Sequence, residues 1–270
     1  LGVLLATFVS KMVQNPDLPS YSWRFAFLLG FGLSIIGYFI RRNLGESPEF
    51  KKIQQRKNKI PLIGAIKQYP SEFVAAIFMA AVNIANVYYA MIFIPNYLKE
   101  KHNLSVGLFI TALVFIFVPV VGYVSDIIGR KKLFLFSSLA IAFFNLIFLD
   151  LIIASSNMLQ VSTVIIIGTL LLASIVSTVN VLVIEMFPSH CRYSSTTFCY
   201  SMGAAIFGGT VPMMCALIIK WFGDIPLYFG IYLFLISLLG VVAYFILQKK
   251  SLTHNVSEAP TSTELIDNST

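Results

Sequence analysis

The sequence predicts an all-α, polytopic membrane protein, and three observations carry that prediction. Hydrophobic residues fill 57% of the 270 positions and charged residues 11%, with a mean hydropathy of +0.83; soluble domains carry about 25% charge. Apolar runs long enough to cross a bilayer recur along the chain. Between them, Lys and Arg gather in alternate loops, as membrane loops require.

The elements follow in order. LGVLLATFVS supplies about ten apolar positions, roughly 15 Å of helix against a hydrocarbon core of about 30 Å. It has neither the basic leader nor the small-residue cleavage site of a signal peptide. Residues 1–13 therefore read as part of a helix, and the chain as a piece of a longer protein. A complete span is predicted at 23–40, followed by six more at 73–98, 106–124, 133–153, 161–187, 196–219 and 226–247. The polar stretch 41–72 reads as a central loop. Within it, Ser47, Pro48 and Glu49 form a helix start signal: a hydroxyl cap, a Pro in the first turn and an acid beside it. Further on, Ile60, Leu62, Ile63, Ala65 and Ile66 among Lys59, Lys67 and Gln68 fit a short interfacial helix and a solvated linker equally well. The tail 248–270 is polar, rich in Ser and Thr and without heptads, so it reads as disordered.

Charge sets the orientation. Fourteen of the 19 Lys and Arg lie in 41–72, 125–132, 188–195 and the tail, which places those segments and the C-terminus in the cytoplasm. Trp23 and Trp221 then fall at the opposite, outer ends of their spans, where indole rings favour the interface. The net charge of +7 is thus a topology signal and gives no reason to expect nucleic acid. Cys191, Cys199 and Cys215 lack metal or disulfide spacing and read as small apolar residues. Two Asn-X-Ser/Thr sequons, at Asn103 and Asn268, are short enough to arise by chance.

The second of the six later spans ends in GYVSDIIGRKK, which fits GxxxDxxGRK with Gly122, Asp126, Gly129, Arg130 and Lys131. The positive-inside rule accounts for Lys131 and Lys132, but not for Asp126 or the glycines. Here the chain resembles the major facilitator superfamily, whose members carry this pattern in the loop between the second and third helices of each six-helix half. RRNLGESPEF (41–50) resembles the segment after the sixth helix of its metabolite:proton symporter family. EMFPSHCRYSS (185–195) resembles that family's loop after the tenth helix, and MGAAIFGGTVP (202–212) its eleventh helix. Within the family the likeness is to proline/betaine transporters. A sugar porter matches less well, because Glu49 stands where a basic residue is usual and the tail lacks a PETKG-like segment.

The resemblance implies the C-terminal six-helix half of the superfamily fold, plus the sixth helix and part of the fifth, with an N-terminal half missing. It implies proton symport of a small zwitterionic or organic-acid solute across a bacterial cytoplasmic membrane. The proton gradient drives it, the lipid bilayer is its other partner, and no cofactor or metal is needed.

Within that frame the residues suggest three groups. Asp126 and Arg130, four apart, with Glu185 and Arg192 are expected to form a cytoplasmic latch, Asp126 capping the helix that starts near Ser195 and Thr196. Polar groups inside spans are candidates for a substrate cavity: Asn83, Asn86 and Tyr89 in one helix, Ser174, Ser177 and Thr178 on a stripe of another. Amides and hydroxyls suit a carboxylate and an aromatic face suits a quaternary ammonium; helix-to-helix gluing is the alternative. Gly208, Gly209 and Pro212, around Thr210, are expected to kink their span and act as a hinge. Asp150, at an outer span end, is a weaker candidate for proton coupling. An intramembrane enzyme is disfavoured, since His102, His190 and His254 all lie in loops or the tail. A remnant or accessory subunit without transport of its own is the other reading.

Overall fold

The computed structural model describes residues 24–43, 62–155, 157–189, 191–223 and 225–257. All the regular structure among them is helical. The chain divides into two units, Leu1–Asn58 and Lys59–Thr270. In the first, helix α1 (Phe25–Asn43) is largely apolar up to Ile40 and carries Arg41 and Arg42 in its last turn, cations that suit a helix C-terminus. It runs past the expected end at residue 40. The partial helix at 1–13, Trp23 and the Ser47 start signal lie outside the described residues.

The second unit is a helical bundle. Helix α2 (Leu62–Gln68) falls inside the predicted central loop and buries Ala65, which favours a packed helix over a solvated linker. The first bundle span consists of α3 (Pro70–Tyr88), a π-helical turn π1 (Tyr89–Phe93) and α4 (Ile94–His102). Pro95 lies in the first turn of α4 and has no N–H to give the preceding turn, so a wider π turn beside it is the expected accommodation. Asn103 ends α4 in the left-handed region at φ 53°, and the next amide, Leu104 N–H, returns to the Leu98 carbonyl at 3.0 Å.

Helices α5 (Gly107–Ile128), α6 (Arg130–Ala154) and α7 (Met158–Glu185) are single spans. The fifth span is α8 (Arg192–Gly203), a second π turn π2 (Ala204–Gly208) and α9 (Val211–Phe222); α10 (Pro226–Ser257) is the sixth. Six helical stretches among the described residues are thus long and apolar enough to cross a membrane, and the six predicted runs coincide with them to within a few residues. The tail departs from expectation: α10 continues to Ser257, past residue 247, where the apolar run ends.

Packing is arranged around three helices. Helix α10 lies along α6 and α3, α7 packs against both α5 and α6, and α8 with π2 packs on α3. Small residues permit the closest approaches. A Cβ on Gly230 would stand 2.6 Å from the Asn145 carbonyl oxygen, and one on Gly203 would stand 2.7 Å from Ala80 Cβ. Without a hydrophobic drive between helices in lipid, such close backbone contact is a main source of association. The buried core forms two clusters. One surrounds Tyr89, Leu98, Phe229 and Leu233. The other surrounds Phe73, Met79, Phe134 and Phe187.

Candidate functional site

The charged end of the bundle is built on a tight turn. Gly129, at φ 101° and ψ 117°, joins α5 to α6 in a conformation that side-chain-bearing residues rarely adopt. The reversal brings Arg130, the first residue of α6, back to Asp126 in the last turn of α5. Arg130 Nε donates to Asp126 Oδ1 at 2.9 Å, and Nη2 lies 2.8 Å from the same oxygen. Its Nη1 pairs with Glu185 Oε1 at the end of α7. One guanidinium fork therefore ties the α5–α6 turn to α7, as the planar, multi-donor geometry of Arg allows. Gly122, one turn earlier, faces α7, where a Cβ would stand 4.0 Å from Ser177, an ordinary contact distance.

Two details of the expected latch differ. Arg192 joins neither carboxylate; its Nε donates to the Phe187 carbonyl at 3.0 Å. Asp126 does not cap the following helix, which starts at Arg192 with Cys191 at its N-cap and no side-chain cap. Arg192 sits at the helix start, and its guanidinium turns back to a carbonyl of the segment that precedes the helix. Arg130 alone serves both acids.

The polar residues inside the spans separate into two groups. Asn86 is 2% exposed. Its Oδ1 accepts from Asn145 Nδ2 of α6 at 2.9 Å, and its Nδ2 lies 3.3 Å from Ser237 Oγ of α10 and 2.8 Å from the Val82 carbonyl. It is interhelical glue. Tyr89 is likewise buried, stacked on Phe93 with ring centres 5.5 Å apart, and its hydroxyl has no hydrogen-bond partner. Asn86, Tyr89, Asn145 and Thr169 line a cavity of about 30 Å³, room on the order of one water molecule and far too small for an organic solute. Ser174, Ser177 and Thr178 each bond a carbonyl of their own helix, at 2.9, 3.2 and 2.7 Å. Their protons are thus given to their own helix, which leaves these hydroxyls only acceptor capacity.

Asn83 belongs elsewhere. Three residues before Asn86, it is rotated by about 60° around the helix; it is 5% exposed and its Oδ1 has no hydrogen-bond partner. Across two other helices, Tyr200 of α8 donates to Asn180 Oδ1 of α7 at 2.5 Å. Asn180 is exposed and Tyr200 half-buried. Sequence reasoning named Asn83 and missed the Tyr200–Asn180 pair. Asn180 carried a signal, an amide in an otherwise apolar helix, but it falls outside the Ser174–Thr178 stripe.

At the fifth span the helix is interrupted as the Gly–Gly–Thr–Val–Pro pattern suggests. The π turn covers 204–208, Gly209 and Thr210 form a turn, and Pro212 stands in the first turn of α9. Gly208 is fixed by packing: its Cβ position would overlap Ile84. Gly209 keeps ordinary helical angles, φ −61° and ψ −24°.

Comparison with known proteins agrees with this architecture. The sequence profile described as Major Facilitator Superfamily matches residues 1–207. A Staphylococcus aureus (strain COL) protein named "Putative proline/betaine transporter" is 28% identical over 250 residues, covering 88% of this chain and 52% of that protein. The Escherichia coli (strain K12) shikimate transporter is 24% identical over 236 residues, 82% of this chain and 54% of its own. The alpha-ketoglutarate permease of the same organism is 25% identical over 257 residues, 91% and 57%. The chain spans about half the length of the curated relatives it matches. No solved structure matches it significantly. A six-span helical bundle, the GxxxDxxGRK turn closed by Arg130 and a profile match over most of the sequence together place the chain in the Major Facilitator Superfamily.

Proposed function

We propose that the chain forms the substrate-handling bundle of a secondary active transporter that moves a small osmolyte, of the proline and betaine class, in symport with protons. The observation that carries this reading is the pair Asn180 and Tyr200. An exposed amide of α7 and a half-buried hydroxyl of α8 bond to each other within membrane spans, where such groups are costly unless they serve a pathway. The names of the staphylococcal relatives support the solute class, while those of the Escherichia coli relatives keep organic acids in view.

In this reading the protein lies in a bacterial cytoplasmic membrane with its C-terminus inside. The Arg130 fork acts as the inner latch, holding α5, α6 and α7 together in one state and releasing when the bundle rocks. The interrupted fifth span, with Gly208, Gly209 and Pro212, supplies flexibility in the span that carries Tyr200. The proton gradient is the driving force, and neither cofactor nor metal takes part. Asp150 remains a candidate for proton coupling.

The test is uptake of labelled proline and betaine in a bacterial host lacking its own carriers, with the protein expressed from its complete reading frame. Uptake that rises with external acidity and collapses on adding a protonophore is expected. Absence of uptake, or uptake indifferent to the protonophore, refutes the proposal.

A further inference from the structure

Asn180 and Tyr200 fix each other, and what they leave unused says what they can bind. Asn180 Nδ2 donates to the Val176 carbonyl at 2.8 Å, and a carbonyl can only accept, so the two ends of the amide are assigned and Oδ1 faces Tyr200. Tyr200 gives its single proton to that oxygen at 2.5 Å. An amide nitrogen carries two protons, and the second proton of Asn180 Nδ2 enters no bond among the described residues. It stands on an exposed side chain of the membrane span α7, where an unmet donor is costly. Tyr200 has no proton left, so the pair has one to give and it belongs to Asn180. Glu185, the acid five residues on in α7, is turned by about 140° around the helix and is held by Arg130.

We infer that Asn180 Nδ2 binds the carboxylate of the transported solute, and that Tyr200 is the positioning residue that holds the amide for it. The inference rests on the osmolyte-transport reading and deepens it. Proline and betaine differ at nitrogen, where the first carries protons and the second none; what they share is a carboxylate beside a cation. A site that serves both must recognise the shared group, and a carboxylate accepts hydrogen bonds only. The free N–H of Asn180 is the donor the pair offers, and a charged acceptor makes the stronger bond with it. Val176 on the same helix and Tyr200 on α8 clamp the amide, so the donor is aimed before the solute arrives.

Two ligand pairs isolate the carboxylate: proline with prolinol, and betaine with choline, the second of each carrying CH2OH in its place. Each competes against labelled proline in the uptake assay. The carboxylate member is expected to compete better by about tenfold or more in both pairs, as for a site built around that hydrogen bond. Asn180→Leu removes the donor and should shrink both steps several-fold. Tyr200→Phe keeps the donor but frees the amide to turn, and should shrink them by a smaller factor; a merely structural role for Tyr200 would weaken all four ligands alike. If Asn180→Leu fails to reach the membrane, Tyr200→Phe carries the comparison. Equal competition within the pairs by the unsubstituted protein, or steps of unchanged size in the variants, overturns the inference and leaves the transport reading intact. Absence of proline uptake overturns the transport reading, and the inference with it.

Discussion

Replacing Asn86 by Leu tests whether the buried amides and the Asn180–Tyr200 pair have separate roles. The substitution removes two hydrogen bonds between helices, from Asn145 Nδ2 at 2.9 Å and to Ser237 Oγ at 3.3 Å. It also leaves Asn145 Nδ2 without its partner on a residue 6% exposed. Hydrogen bonds between helices in a bilayer average about 0.6 kcal/mol and reach about 1.7. A buried donor left unpaired costs about 1–3 kcal/mol. A loss of about 1–3 kcal/mol follows, or a fall in melting temperature of roughly 2–12 °C for a unit of this size. Thermal unfolding in detergent measures it. The double variant Asn86→Leu with Asn145→Leu should be less damaged than the sum of the singles, since no unpaired amide remains. Ligand ranking in the uptake assay should not change. A stable Asn86→Leu protein with altered ligand ranking would refute the division into glue and site.

Two further outcomes follow from the packing and the charges. Gly230→Ala places a Cβ against backbone at 2.6 Å from the Asn145 oxygen, and so should cost about 1–3 kcal/mol by overpacking, read as a lower melting temperature. Arg130→Glu sets three carboxylates together with Asp126 and Glu185 and should abolish transport; adding Glu185→Arg restores one of the two ties and should return part of the activity. Failure of the swap to recover anything would argue against a latch built on that pair.

Much of the fold was legible because a bilayer imposes it. A span of about 20 apolar residues and alternating basic loops follow from lipid thickness and charge, and all six bundle spans were placed from them. The break in the fifth span was visible in Gly208, Gly209 and Pro212, while the matching one at Pro95 was passed over as part of a continuous run. The site was less legible. Asn83 and Asn86 look alike in sequence, yet Asn86 bonds to α6 and α10 while Asn83 Oδ1 finds no partner, because only the packing of neighbours decides what each amide meets. Tyr200 and Asn180 meet only once α7 and α8 are docked. Local motifs fared better: Asp126 and Arg130 pair as expected, but Arg192 does not join them, since a backbone carbonyl lay nearer than any acid.

The central claim is that the exposed surface around Asn180 holds the transported solute, and labelling tests it most directly. The native cysteines Cys191, Cys199 and Cys215 are all buried, so a cysteine introduced by Asn180→Cys should dominate reaction with a small thiol reagent. Asn180→Cys should be modified readily, and millimolar proline or a competing osmolyte should slow the modification several-fold. Ready modification at a rate that no osmolyte alters would contradict the claim.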